Sequence, residues 1–229
     1  MSNKITIHES AQVELYEQIN PIKDSKIDIG EDAIVRVAPT AKIFNSQIVV
    51  PPRAQLFIEE GCMIEGSKVI MRESAIIEIG EYCSFIESTA RIIEDKAVFT
   101  IGGCSRINKR CNFFVSQKVA LGKYCLLSAD CLLTDSQIHS LDWQERQAEI
   151  DSWIKGEEYR PELRSIPLEI GDHCWIGRAA QVLVAKASSQ DAALSIGSKT
   201  VIGGGAVVKE SIPKKSLAVG VPAKVIRNL

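Results

Sequence analysis

Aliphatic residues followed directly by glycine recur along this chain. They are Ile29-Gly30, Ile79-Gly80, Ile101-Gly102, Leu121-Gly122, Ile170-Gly171, Ile176-Gly177, Ile196-Gly197, Ile202-Gly203 and Val219-Gly220. Nine of the 15 glycines stand in such pairs, so the pairing is a repeat rather than chance. Where the pattern is cleanest the step is six residues, as in Ile170, Ile176, Val182 and again in Ile196, Ile202, Val208. The series Leu121, Leu127, Leu133, the series Ile101, Ile107, Phe113 and the series Ile58, Ile64, Ile70 keep the same step. A period of six matches neither the 3.6 of an amphipathic helix nor the alternation of a hairpin meander. It matches a short strand plus a turn, with glycine easing the turn. Three such units close one triangular coil of about 18 residues, and stacked coils form a parallel β-helix. The longer spacings agree, because Ile58, Ile79, Ile101 and Leu121 lie 21, 22 and 20 residues apart.

Four residues after many of these aliphatics stands a small residue: Cys62, Cys83, Cys111, Cys125, Cys131, Cys174, Ala180, Thr200 or Ala206. Six of the seven cysteines thus share one kind of slot, and the reading is small inward filler rather than a metal or redox cluster. No CxxC pair argues for a structural zinc site. The chain opens without a basic stretch leading into an apolar one, so free thiols in a reducing cytoplasm are expected.

The rhythm divides the chain. Residues 1–28 lack it, contain Pro21 and a mixed run 10–20 with short-helix character, and are expected to cap the first coil. Residues 29–213 are expected to be β-helix, irregular around Pro51-Pro52. Residues 136–167 break the repeat and are expected to leave the stack as a long excursion on one face. Within it, Asp142-Trp143-Gln144-Glu145 reads as a capping box, followed by an apolar stripe of Trp143, Ile150, Trp153 and Ile154. A smaller loop is expected at 186–194, and residues 214–229 are expected to be a tail leaving the helix.

Charge and hydropathy narrow the function classes. Lysine and arginine number 27 against 29 acidic residues, a net charge of −2 that disfavours a polyanion-coating or nucleic-acid-binding protein. The longest apolar runs fall far short of the roughly 20 residues of a membrane helix.

The tracts I-G-D-H-C-W-I-G at 170–177, I-G-G-G-A-V-V at 202–208 and V-G-V-P-A-K-V-I-R at 219–227 resemble the hexapeptide-repeat acyltransferases. That resemblance, and not the periodicity, implies a left-handed β-helix, an exception to the usual right-handed crossover. It also implies acetyl-CoA as acyl donor and a homotrimer with active sites between subunits.

His139 lies in T-D-S-Q-I-H-S-L-D, at the start of the long excursion. Transfer of an acyl group from a thioester to a hydroxyl needs a base, and imidazole titrates near neutrality. The H-S-L-D segment resembles the catalytic stretch of the polysaccharide O-acetyltransferase branch. His139 is therefore the expected general base, oriented by Asp135, Asp142 or a backbone carbonyl. His8 reads as a surface residue and His173 as a turn residue.

Further roles are carried by the resemblance alone. Asn108, in R-I-N-K-R, would help hold the acceptor or the oxyanion, a contribution worth about 3 kcal/mol where it applies. Asn is equally at home in a β-helix turn. Trp175 would lie beside the thioester arm of coenzyme A, and the backbone of Gly204 would approach the pantetheine. Lys209, Lys224 and Arg227 would meet its phosphates, Lys214 and Lys215 reading as solvated tail. Arg178 stands where the family usually has a small residue, and is included with the cofactor-binding candidates. The expected activity is O-acetylation of a sugar hydroxyl in a surface polysaccharide. Alternatives are N-acetylation of an amino sugar nucleotide and a non-catalytic scaffold. A zinc enzyme of the same fold would need three clustered histidines, which His8, His139 and His173 do not offer.

Overall fold

The computed structural model describes residues 3–15, 22–157, 159, 164–184 and 193–229. Its strands stack into three parallel sheets that form the sides of a left-handed β-helical prism. Face one has nine strands, from Lys4–Ile7 to Val207–Val208. Face two has eight, from Gln12–Leu15 to Leu194–Ile196, and face three has ten, from Ile22–Lys23 to the C-terminal pair. Among the described residues no helix is long and apolar enough to cross a membrane.

The hexad rhythm is the inward row of each face. On face one, Ile27, Ile48, Val69, Ala90, Phe113, Leu133, Val182 and Val208 follow one another in register, all buried. Face two contributes Val37, Ile58, Ile79, Ile101, Leu121, Ile170 and Ile196. Face three contributes Ile43, Ile64, Phe85, Ile107, Leu127, Ile176 and Ile202. Alternation along each strand sends every second side chain inward, so one continuous core fills the prism. Three phenylalanines, one from each face, meet inside it. Phe113 lies 5.9 Å from Phe85 and 4.9 Å from Phe99, centroid to centroid. Close stacking also explains the glycines. A Cβ on Gly102 would come within 2.5 Å of the Gly122 carbonyl carbon in the next coil.

The six slot cysteines are buried, whereas Cys104 is half-buried. They occupy two corner columns rather than one. Cys62, Cys83, Cys125 and Cys174 share a column with Ser105 and Thr200. Cys111 and Cys131 extend a second column that begins with Ser25, Ser46, Ser67 and Ser88. In this second column each serine hydroxyl accepts the N–H of the next slot residue, at 3.1 Å between serines and 3.0 Å from Cys111. Serine fills the slot as well as cysteine does, because its hydroxyl is satisfied by neighbouring backbone.

Two expected boundaries change. Residues 1–28 are not a non-repeating cap: Lys4–Ile7 pairs with Lys26–Ile29, and Gln12–Leu15 pairs with Ile34–Val37, both in parallel. The short-helix character of 10–20 gives way to strand over Gln12–Leu15, and its last residues lie outside the described ones. This first coil escaped the hexad pattern because, as the end of the stack, it has a neighbour on one side only. Its strands are exposed or half-buried and carry fewer core aliphatics. At the other end Ser216–Val219 still pairs in parallel with Val201–Ile202, so the stack runs past 213. After Gly220, Lys224–Asn228 folds back antiparallel on Ser216–Val219. The smaller loop expected at 186–194 falls largely outside the described residues, and Leu194 already belongs to a strand.

The long excursion is present between Thr134, which ends a face-one strand, and Leu168, which begins a face-two strand. It carries the helix Trp143–Lys155 (α1). Asp142 caps it by accepting the Gln144 N–H at 2.9 Å, and Gly156 ends it in a left-handed conformation at φ 74°. The reciprocal arm of the capping box is absent, because the Asp142 N–H donates to Ser140 Oγ at 3.0 Å. The apolar stripe does not pack on the prism: α1 buries no residue, and Trp143, Ile150, Trp153 and Ile154 are all exposed.

Candidate functional site

His139 stands at the base of the excursion with its ring 60 % exposed. Its Nδ1 lies 3.0 Å from both carboxylate oxygens of Glu149 on α1. A carboxylate only accepts, so Nδ1 carries the proton and donates, and in the neutral ring the lone pair is on Nε2. The ring opens onto a cleft of about 320 Å³ lined by His139, Arg146, Glu149, Ile150 and Trp153. Neither of the expected acidic partners touches the ring: Asp142 is the helix cap, and Asp135 is fully buried in the corner below. Glu149 is the residue that sequence reasoning missed. Helical spacing was the available signal, since Asp142, Arg146, Glu149 and Trp153 recur every three or four residues on one side of α1.

Asp135 anchors the excursion. Its Oδ1 accepts the Ser116 N–H at 2.8 Å, and its Oδ2 accepts those of Gln117 and Lys118 at 2.7 Å. Its carbonyl accepts from Ile166, at the returning end, at 2.9 Å. Next to it, Ser136 shares a 2.7 Å hydroxyl bond with Ser116 and bridges Ser165. Burial holds the Asp135 carboxyl above the usual range in spite of the three N–H donors. Both ends of the excursion are therefore tied to one corner of the prism, four residues from His139.

Asn108 points into the coil ladder, its Nδ2 donating to the Leu127 carbonyl at 3.0 Å. Its side chain behaves as a turn residue, the alternative open to it from sequence. His173 is likewise a turn residue, at φ 58°, its ring stacked on Tyr124 with centroids 5.1 Å apart.

Of the remaining candidates, Trp175, Lys224, Arg227, Gly204 and Arg178 gather on face three and its corner with face one, whereas Lys209 follows the face-one strand Val207–Val208 at the corner with face two. Trp175 projects outward, 49 % exposed, with Nε1 donating to Ser128 Oγ at 3.1 Å. In register with it run Leu126 on one side and Val201, Leu217 and Arg227 on the other. This makes an apolar outward strip ending in a guanidinium, spanning about 14 Å from Trp175 to Arg227 at the usual strand spacing. Lys224 begins the same final strand and lies 3.8 Å from Glu210. Lys209 borders a smaller cleft of about 180 Å³ with Ile166, Val184 and Leu194. Gly204 sits in a corner turn, where the nearest atom to an added Cβ is the Arg178 carbonyl at 3.2 Å. Arg178 is committed elsewhere in part: Asp130 takes its Nε at 3.0 Å and the Arg110 Nε at 2.6 Å. The Arg110 guanidinium, aided by Arg178, holds the Asp130 carboxyl below the usual range.

No protein-family profile matches the chain. A putative acetyltransferase of Schizosaccharomyces pombe is 30% identical over 169 residues, covering 71% of this chain and 70% of the yeast protein. The chain belongs to the hexapeptide-repeat acetyltransferases. Galactoside O-acetyltransferase of Escherichia coli is 37% identical over 68 residues, which span 30% of either chain. In fold alone, LpxA from Acinetobacter baumannii is similar, with a TM-score of 0.57 at 16% identity, over 97% of this chain and 74% of that one.

In this acetyltransferase the Asp135 anchor can be tested apart from turnover. Asp135→Asn replaces one acceptor oxygen by an NH₂ group that faces backbone donors. The expected loss is about 1–3 kcal/mol in chemical denaturation, with faster exchange of the amides of residues 116–118 and faster tryptic cutting within 136–164. Unchanged exchange at those three amides would show that the carboxylate does not hold the corner.

Proposed function

We propose that the protein transfers an acetyl group from acetyl-CoA to a sugar hydroxyl, directly and with His139 as general base. The observation that carries this reading is the His139–Glu149 pair, which leaves Nε2 free at the mouth of an open cleft. Nε2 accepts the hydroxyl proton as the sugar oxygen attacks the thioester carbonyl. The C–S bond then breaks, and the imidazolium returns the proton to the departing thiolate, giving the O-acetyl sugar and free coenzyme A. Glu149 steadies the imidazolium in between.

The donor is assigned to the outward strip of face three. Trp175 offers a flat apolar wall for the thioester arm, and Arg227 and Lys224 offer cations for phosphates. The open backbone at Gly204 fits the same assignment, whereas Lys209 lies at the corner between faces one and two and does not. Arg178 is a weaker candidate, being paired with Asp130. Asn108 is assigned to the ladder and not to the oxyanion. The slot cysteines are no nucleophiles, since burial keeps them from substrate. The local likeness to a galactoside O-acetyltransferase supports a carbohydrate acceptor. Trp143 and Ile154, exposed on α1 outside the cleft lining, support a homotrimer in which a second copy covers them.

Thioester consumption with a panel of sugars tests the reading, alongside calorimetric titration of coenzyme A. Trp175→Ala and Arg227→Gln are each expected to weaken coenzyme A binding about 10-fold. Wild-type affinity in both variants would remove the strip as the donor site.

A further inference from the structure

We propose that the cleft beside His139 selects an anionic sugar, with Arg146 on the charged group and Trp153 under the ring. This rests on the reading of His139 as the base and goes further by naming the acceptor's class. Five residues line the cleft, and their charges are unequal in availability. Glu149 is engaged, both oxygens lying 3.0 Å from His139 Nδ1. Arg146 is held by a neutral partner, its Nη1 donating to the Ser140 carbonyl at 2.8 Å. Among the described residues it makes no ion pair. A guanidinium has five N–H donors, so four remain, and a carbonyl partner leaves the positive charge uncompensated. Contrast Arg110 and Arg178, which share the Asp130 carboxylate.

The other wall is apolar. Ile150 and Trp153 follow Arg146 by one and two helical turns, and Trp153 is 78 % exposed. An indole face suits the C–H face of a pyranose, and its neighbour Ile150 keeps that wall dry. The volume of about 320 Å³ lies at the small end of ligand clefts, suited to one or two sugar rings rather than a longer stretch. Glu149 also orients the guest. Its negative charge repels an anion from the His139 side and directs it to Arg146, leaving a neutral hydroxyl toward Nε2. A planar guanidinium fork fits a carboxylate or a phosphate, so the shared chemistry is an anionic group on the sugar.

The test uses the full chain with matched methyl glycosides: neutral hexosides, the corresponding uronosides and the corresponding hexoside phosphates. Acetylation rates and ligand-observed NMR binding are measured side by side for wild type, Arg146→Gln, Arg146→Lys and Trp153→Ala. Wild type is expected to favour an anionic member at least 10-fold in kcat/KM over its neutral match, the uronoside and phosphate arms telling which anion is read. Arg146→Gln is expected to lower that acid-to-neutral ratio about 10–100-fold, mainly through KM. Arg146→Lys keeps the charge without the fork and is expected to fall between. Trp153→Ala is expected to raise KM for both classes. A misfolded cleft loses both members, so retained turnover of the neutral member by Arg146→Gln shows that its cleft is folded and makes its ratio decisive. Equal turnover of neutral and anionic members by wild type, or the same ratio in Arg146→Gln, overturns the proposal. Should no sugar be acetylated, the His139 reading falls separately. Anion binding that is indifferent to Arg146 would then overturn this one as well.

Discussion

His139→Ala is expected to lower kcat for the sugar acceptor by about 10²–10⁴-fold, the usual contribution of a positioned general base. The affinity for coenzyme A is expected to stay within twofold of wild type, because the ring belongs to the excursion and the proposed donor strip to face three. Stability should hardly change, since the side chain is exposed and holds a single partner, Glu149. The cleft is open, so added imidazole is expected to restore part of the rate by occupying the vacated space. Glu149→Gln should fall between wild type and His139→Ala. Its amide oxygen still accepts from Nδ1 and keeps the tautomer, but it no longer offsets the charge of the imidazolium. Undiminished turnover in His139→Ala would remove the base and with it the proposed mechanism.

Phe113→Ala carries the largest expected effect on stability, about 3–5 kcal/mol. Phe113 is fully buried, touches the rings of Phe85 and Phe99, and lies between Ala90 and Leu133 in the inward row of face one. Small Ala90 lies beside it in the preceding coil. The prism interior is close-packed, so the loss includes a cavity as well as the transferred area. Each coil leans only on its neighbours, so a lesion here weakens the link between the N-terminal and C-terminal halves of the stack. A midpoint drop on the order of 10 °C is expected in thermal unfolding. A loss under about 1 kcal/mol would show that the three rings do not form the packed centre described above.

Parts of this molecule were legible before any coordinates. Where one strand and one corner take six residues, the side chains at that step face the same way; Ile70 departs from it, the inward residue of its strand being Val69. The inward rows, the buried cysteines and the glycines at close approaches all follow from that regularity. So does the place of the excursion, because the rhythm stops at Leu133 and resumes at Ile170. The cap at Asp142 followed from local chemistry, since it involves atoms two residues apart.

What the pattern did not carry was contact between segments whose spacing is irregular. The first coil was missed because a terminal coil has one neighbour and needs fewer core aliphatics. The serine column was missed because its hydroxyls are satisfied by backbone a full coil away, a partner that no local window contains. Asp135 looked like a partner for His139 by nearness in sequence. In the folded chain it turns inward to three N–H groups of residues 116–118, and Glu149 takes its place from the far side of a helical turn. The amino-acid sequence by itself determined the prism, its packing and the residue type able to act as base. Which carboxylate holds the His139 ring, which arginine beside it makes no ion pair among the described residues and where the apolar stripe of α1 faces were decided only by tertiary structure. The reason is that an excursion obeys no repeat: its side chains meet partners set by the path of the loop, not by the period of the coil.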